Sequence, residues 1–242
     1  MFAEDLSWQA SLFGLETPAI DDDLPGLERT WLDETSWVDR LPRWLQGSDH
    51  VFGELVARLP WRQRRVHMYD RMVDEPRLTW WWSEDEGPGE LPLPVVPEMA
   101  AALDHCYDLH FDRVGFNFYR DGRDSVAWHR DRVSKTQADP VVAIVSVGAP
   151  RPFLLRPFGG GSSQPFLLGQ GELFVLGGAI QHRWEHTVPK VAAAGPRISI
   201  MFRHSEPQRA RSSTSRNEVG ARPWHDARGV RVREHPAEPE AP

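Results

Sequence analysis

The chain has 242 residues, 40% apolar and 26% charged, an ordinary composition for one globular domain with extensions. No apolar run approaches the ~18 residues of a membrane span. The first ten residues carry acids where a signal peptide carries bases, and the single cysteine, Cys106, excludes an internal disulfide framework and a thiolate metal site. A cytoplasmic, monomeric protein without a membrane partner is therefore expected. The net charge of −7 argues mildly against nucleic acid, but it is unevenly spread: residues 1–50 hold 11 acids and 3 bases, residues 51–242 hold 24 acids and 25 bases.

In chain order, residues 1–27 include Asp21-Asp22-Asp23 and read as an acidic flexible leader. Trp31, Val38, Leu41, Trp44 and Leu45 suit one helix face, with a break near Pro42. A short helix fits Val51–Leu59, closed by Pro60. An arginine cluster (Arg62, Arg64, Arg65, Arg71) follows, then the extended segment Leu78-Thr-Trp-Trp-Trp82. Residues 83–94 read as a loop, and Pro97 suits the first turn of a helix reaching about Leu109.

After Arg113 the texture changes to short strands, at 114–119, 126–131, 141–147, 152–156, 165–168, 172–176, 185–188 and 197–203, separated by glycine turns. Eight such strands predict a jelly roll, a double-stranded β-helix, rather than βαβ units. The fold class is thus α+β, mainly β, with N-terminal helices. Residues 206–242 lack apolar periodicity and read as a disordered tail rich in Arg and Pro.

Several residues carry chemistry. His129-Arg-Asp131 puts an imidazole and a carboxylate on one face of a strand. A second imidazole is available at His182 or His186. Two histidines and one carboxylate form the facial set that holds non-haem Fe(II), although His-x-Asp alone is a pattern chance also produces. In Arg197-Ile-Ser-Ile-Met-Phe-Arg203 the two arginines share a face with Ser199 and Met201, opposite Ile198, Ile200 and Phe202. Asn117 and Tyr119 likewise share one face, opposite Phe116 and Phe118.

Taken in order, Asn117-Phe-Tyr119, His129-Arg-Asp131, His186 and Arg197-x5-Arg203 resemble the motifs of the AlkB family of Fe(II)- and 2-oxoglutarate-dependent dioxygenases. The resemblance covers roughly residues 55–204, and places the domain at 28–205, with helices and lid at 28–113 and jelly roll at 114–205. It implies that His129, Asp131 and His186 bind Fe(II), the Thr-Val-Pro that follows His186 favouring it over His182. It further implies that Asn117, Tyr119, Arg197 and Arg203 hold 2-oxoglutarate, with O2 as the other cosubstrate. The implied reaction is oxidative demethylation of alkylated bases in DNA or RNA, releasing formaldehyde, succinate and CO2. The family carries aromatic residues on a β-hairpin nucleotide-recognition lid, which matches Leu78–Trp82 here. Trp82 is expected to stack on the flipped base with Trp80 beside it, Arg65 and its neighbours to meet phosphates, and Tyr69 to face the substrate strand.

Two positions depart from the pattern. Repair members carry an acid four residues after the first histidine that contacts the damaged base; here it is Val133. The family often has Asn where this chain has Ser199. The first departure leaves room for a dioxygenase acting on tRNA or protein. A noncatalytic nucleic-acid-binding module is the remaining alternative, and the retained triad and arginines argue against it.

Overall fold

The computed structural model describes residues 17–68, 70–85, 90–131, 137, 139–205 and 231–233. Residues 28–45 depart most from the sequence reading. Instead of a kinked helix they contain a hairpin of β1 (Glu28–Trp31) and β2 (Ser36–Leu41). Its turn is set by Asp33, whose Oδ1 accepts the backbone N–H of Thr35 at 2.8 Å and of Ser36 at 2.9 Å. Strand β2 is buried on both faces, with Trp37 and Leu41 in one core and Val38 in another. A strand apolar on both sides does not alternate, and its spacing imitates a helix face.

Helix α1 (Ser48–Arg58) stops short of Pro60. The arginine cluster then folds into a separate hairpin, β3 (Arg65–Met68) and β4 (Arg71–Asp74), where the sequence reading assigned no element. The Leu78–Trp82 segment lies in β5 (Leu78–Ser83), and α2 (Val95–Tyr107) has Pro97 at its third position rather than its first. The eight expected strands follow: β6 (Arg113–Tyr119), β7 (Val126–His129), β8 (Val142–Gly148), β9 (Arg151–Pro157), β10 (Gln164–Leu168), β11 (Glu172–Gly178), β12 (Trp184–Val188) and β13 (Arg197–Arg203). A one-turn helix, α3 (Ile180–Arg183), precedes β12. Residues of the predicted tail form β14 (Arg231–Arg233), which pairs in parallel with β1. Of the predicted leader, the described part packs: Leu24 and Leu27 are buried.

The strands make an eight-stranded sheet, ordered β14-β1-β2-β11-β8-β13-β6-β5, and a four-stranded sheet, ordered β10-β9-β12-β7. One core lies between them, built on Val142, Ile144, Phe153, Leu155, Phe174 and Trp184. The other lies on the far face of the larger sheet, where α1 and α2 bring Phe52, Leu55, Met99 and Leu103 against Phe116, Val145, Ile200 and Phe202. This is the jelly roll with helices predicted from the strand pattern. No helix among the described residues is long and apolar enough to cross a membrane.

A buried ion pair joins the two strands of the β1–β2 hairpin, and Tyr107 ties it to α2. Arg29 Nε and Nη2 donate to the two oxygens of Asp39, each at 2.7 Å, and the Tyr107 hydroxyl donates to Asp39 at 2.8 Å. The Arg29 guanidinium lies 3.5 Å from the Trp37 ring centroid. Asp39→Ala would remove the carboxylate that faces a buried guanidinium and should cost about 3–5 kcal/mol in denaturant unfolding, whereas Tyr107→Phe should cost about 1 kcal/mol. Equal costs for the two would show that the ion pair does not hold the hairpin.

A second clamp sits at the surface. His110 Nε2 is 3.0 Å from Glu84 and Nδ1 is 3.1 Å from Asp104, and these two bonds raise its pKa from 6.5 to about 9. The folded value lies above the unfolded one, so the stabilisation is complete below pH 6.5 and is lost as pH rises through about 9. The side chain is 64% exposed, which keeps the effect to about 1 kcal/mol or less. The stability gap between the parent and His110→Ala should therefore shrink from pH 6 to pH 10 in chemical denaturation, and a gap that grows would contradict the assignment.

Candidate metal and cosubstrate site

Strands β7 and β12 are antiparallel neighbours, and their register sets His186 directly opposite His129. The two rings lie 4.2 Å apart by centroid. Asp131 falls beyond the end of β7, so the same-face argument from strand alternation does not place it. Its backbone N–H instead donates to Gln181 Oε1 at 3.1 Å, and its Oδ1 accepts Arg203 Nη2 at 2.7 Å. That oxygen then stands 3.9 Å from His129 Nε2 and 4.0 Å from His186 Nε2. The ligand atoms of the three residues all lie within 4.8 Å of one another, within reach of a single ion. His182 is elsewhere: it sits on α3 with Nε2 2.9 Å from the Gln137 carbonyl.

The surroundings prepare these groups for a cation. His129 Nδ1 is 2.8 Å from the Ala127 carbonyl, which directs Nε2 toward the other two ligands. The His186 ring stacks on Phe153, with centroids 5.2 Å apart and planes 20° from parallel. Burial pushes its pKa down to about 4, so the imidazole is neutral. Burial alone would raise the Asp131 carboxyl, but Arg203 and then the two imidazoles outweigh it and hold the group below the usual carboxylate range. Neutral imidazole and ionised carboxylate are the states that bind a divalent ion.

The arginines of β13 share a cavity with this triad. Their register partners on β6 bring Tyr119 opposite Arg197 and Asn117 opposite Ser199. Arg197 is 1% exposed, and its Nη2 donates to Ser146 Oγ at 2.6 Å. Burial lowers its pKa to about 10, which leaves it protonated at neutral pH. Burial also raises the Tyr119 phenol, so its hydroxyl remains a donor. Asn117 Oδ1 accepts Arg77 Nε at 3.3 Å. The Nε atoms of Arg197 and Arg203 are buried without a hydrogen-bond partner. Such donors, with a buried hydroxyl and a half-buried amide close by, fit a dicarboxylate.

The substrate-side expectations fare differently. Trp80 and Trp82 point to the helix side of the sheet, where Trp80 packs on Phe116 at 5.3 Å between centroids. Trp81 takes the opposite face, lines the cavity, and lies 5.0 Å from the Arg203 guanidinium. It lies flat because its cross-strand partner is Gly115, where a Cβ would meet the indole at 2.5 Å. Reading Trp80 and Trp82 as one face was correct; that face turns inward, because it continues the Phe116 side of β6. The Leu78–Trp82 segment is not a hairpin lid but part of the large sheet. The hairpin that borders the cavity is β3–β4, through Val66 and Val73. Alternation along β3 sends Arg65 outward to Asp74 at 3.2 Å, whereas Arg64 lines the cavity. Arg64 belongs to the cluster expected to meet phosphates, whereas Arg77, between β4 and β5, was not singled out in the sequence although it also lines the cavity. Tyr69 and Val133 lie outside the described residues.

Comparison with known proteins agrees with this geometry. Residues 46–216 match the family model of the 2OG-Fe(II) oxygenase superfamily. The alpha-ketoglutarate-dependent dioxygenase alkB homolog 3 of Mus musculus is 31% identical over 183 residues, 66% of this chain and 62% of the relative. The match therefore spans less than two thirds of that relative's length. The DNA oxidative demethylase ALKBH2 of Arabidopsis thaliana is 26% identical over 232 residues, 80% of this chain and 74% of the relative. The structure of OsALKBH1 superposes with a TM-score of 0.54 at 13% identity, covering 72% of this chain and 100% of that one, a likeness of fold. With the His-Asp-His set and the arginine-lined cavity in place, the chain belongs to the 2OG-Fe(II) oxygenase superfamily, whose members use Fe(II), 2-oxoglutarate and O2, and within it is similar to AlkB-like dioxygenases.

Proposed function

We propose that this dioxygenase is an oxidative demethylase of alkylated nucleic-acid bases. The observation that carries the reading is the cavity itself. It encloses about 940 Å³, with the triad and Arg197 in its lining and Trp81 and Arg64 bordering the same space. That volume lies near the top of the roughly 300–1,000 Å³ range of small-molecule sites, well beyond the needs of a five-carbon diacid alone. A flat indole suits a base taken out of its stack, and an exposed arginine suits the phosphate beside it. The relatives named as DNA oxidative demethylases support the same substrate class.

In this reading His129, Asp131 and His186 hold the iron, and Arg197 takes a carboxylate of 2-oxoglutarate with Tyr119 and Asn117 beside it. Arg203 orients Asp131 through the 2.7 Å bond and stands next to Trp81. Bound Fe(II), with 2-oxoglutarate and O2, supplies the oxidation of the N-methyl group, which leaves as formaldehyde while 2-oxoglutarate becomes succinate and CO2. The chain contributes position and shelter. Phe153 fixes the His186 ring, and buried Arg197 anchors the cosubstrate away from bulk water.

Incubation with Fe(II), 2-oxoglutarate and DNA or RNA oligonucleotides containing 1-methyladenine or 3-methylcytosine tests the reading. Mass spectrometry should show loss of the methyl group, with formaldehyde and succinate formed in equal amounts. Absence of demethylation on every methylated nucleic acid, together with brisk turnover of a peptide, would transfer the substrate class to protein.

Trp81 and Trp82 separate by the same assay. Trp81→Ala should raise the KM for the methylated oligonucleotide about tenfold or more, as expected from roughly 1–3 kcal/mol per stacked base. Trp81→Phe should keep most of the affinity, and basal 2-oxoglutarate turnover should persist in both. Trp82→Ala should lower stability and leave KM close to that of the parent. The reverse pattern would return the stacking role to Trp82.

A further inference from the structure

The two histidine strands are poorly bound to each other. Strand β7 is the edge of the smaller sheet, and it registers with β12 at only two pairs, His186↔His129 and Val188↔Val126, with an irregularity between them. A ladder this short and broken does not by itself hold two imidazoles at a fixed separation. Just outside it, however, the chain approaching β7 and the chain leaving β12 are joined by one side chain from a third strand. Arg151, at the start of β9, is 0% exposed. Its Nη1 donates to the Asp121 carbonyl at 2.7 Å, and its Nη2 donates to the carbonyls of Asp124 at 2.8 Å and Pro189 at 2.9 Å.

The partners are the unusual part. A buried guanidinium normally faces a carboxylate, yet this one is spent on three main-chain oxygens, two before β7 and one after β12. An apolar side chain would avoid the desolvation of a cation but would take this donor from all three carbonyls, leaving Asp121 only the longer 3.3 Å bond from the Asp124 N–H. The planar fork reaches oxygens in different directions, which an ammonium does not. The same two segments also touch directly. Val191 N–H donates to the Gly122 carbonyl at 2.9 Å, and a Cβ on Gly122 would stand 2.4 Å from the Val191 oxygen. Thr187 Oγ1 adds a bond to the Val126 carbonyl at 2.6 Å.

We propose that Arg151 is a positioning residue for the metal centre. It cross-links the approach to β7 with the exit from β12, and so sets the spacing of His129 and His186. The inference rests on the triad as a metal site and is independent of the substrate.

The test uses the purified full chain under anaerobic conditions, titrated with Co(II) and Mn(II). Arg151→Met, Arg151→Lys and Gly122→Ala are compared with Asp39→Asn, which loosens the fold on the other face of the large sheet. All are measured at a temperature where circular dichroism shows each variant folded. Arg151→Met should weaken metal binding about 10–100-fold, the range seen when the supports of metal ligands are removed. Its Co(II) visible spectrum should also shift. Arg151→Lys should fall short of the parent in the same direction, because one ammonium cannot span three carbonyls. Gly122→Ala should do likewise by prising the two segments apart without touching the arginine. Asp39→Asn should keep the parental affinity and spectrum. Parental metal affinity and Co(II) spectrum in folded Arg151→Lys and Gly122→Ala would overturn the proposal, as would an equal change in Asp39→Asn. Should Arg151→Met not fold, the other two variants decide it.

Discussion

The register of β13 is the constraint on which both core and site depend. The strand pairs over its full length with β6 on one side and β8 on the other. Because side chains alternate, that single alignment sends Ile198, Ile200 and Phe202 into the helix-side core and turns Arg197, Ser199, Met201 and Arg203 to the cavity. A slip of one residue would exchange the two sets, burying two guanidinium groups among Val, Phe and Leu side chains. That cost disfavours a one-residue slip, so the hydrophobic demand of the core also aims the arginines. Stability and chemistry are specified by the same seven residues.

The paired arginines do different work within that frame. Arg197 is enclosed, leans on Ser146, and keeps a donor in reserve. Arg203 is partly open and joined to Asp131, so it reaches the triad through a ligand. The cavity is consequently cationic although the whole chain carries −7, and the local field rather than the net charge meets an anionic cosubstrate.

How much of this was legible in the sequence follows from which signals are local. The eight strands after Arg113 announced themselves as short segments set off by glycine turns, with clear alternation in β6 and β13, and the histidines and arginines that converge were readable from motif order. Strand β2 was not readable, because it is buried on both faces and has no glycine turn beside it like those that set off β8 and β11, which leaves a spacing that mimics a helix. The tryptophans show a subtler limit. Alternation grouped Trp80 with Trp82, but which face meets the cavity depends on pairing with β6, a long-range fact. Asp131 reaches the triad by a side-chain bond from Gln181, fifty residues away in sequence, rather than by the strand geometry that suggested it.

The pairing of Trp81 with Gly115 has a consequence for how such a protein changes over evolutionary time. The indole occupies the space above a residue that has no side chain, and the two positions face each other across adjacent strands. A single methyl at 115 would displace the ring, so the room beside the His-Asp-His set is governed from a position outside that set. Residues 81 and 115 therefore share one volume, and an exchange of bulk between them would reshape what this pocket admits while every residue of the triad stays the same.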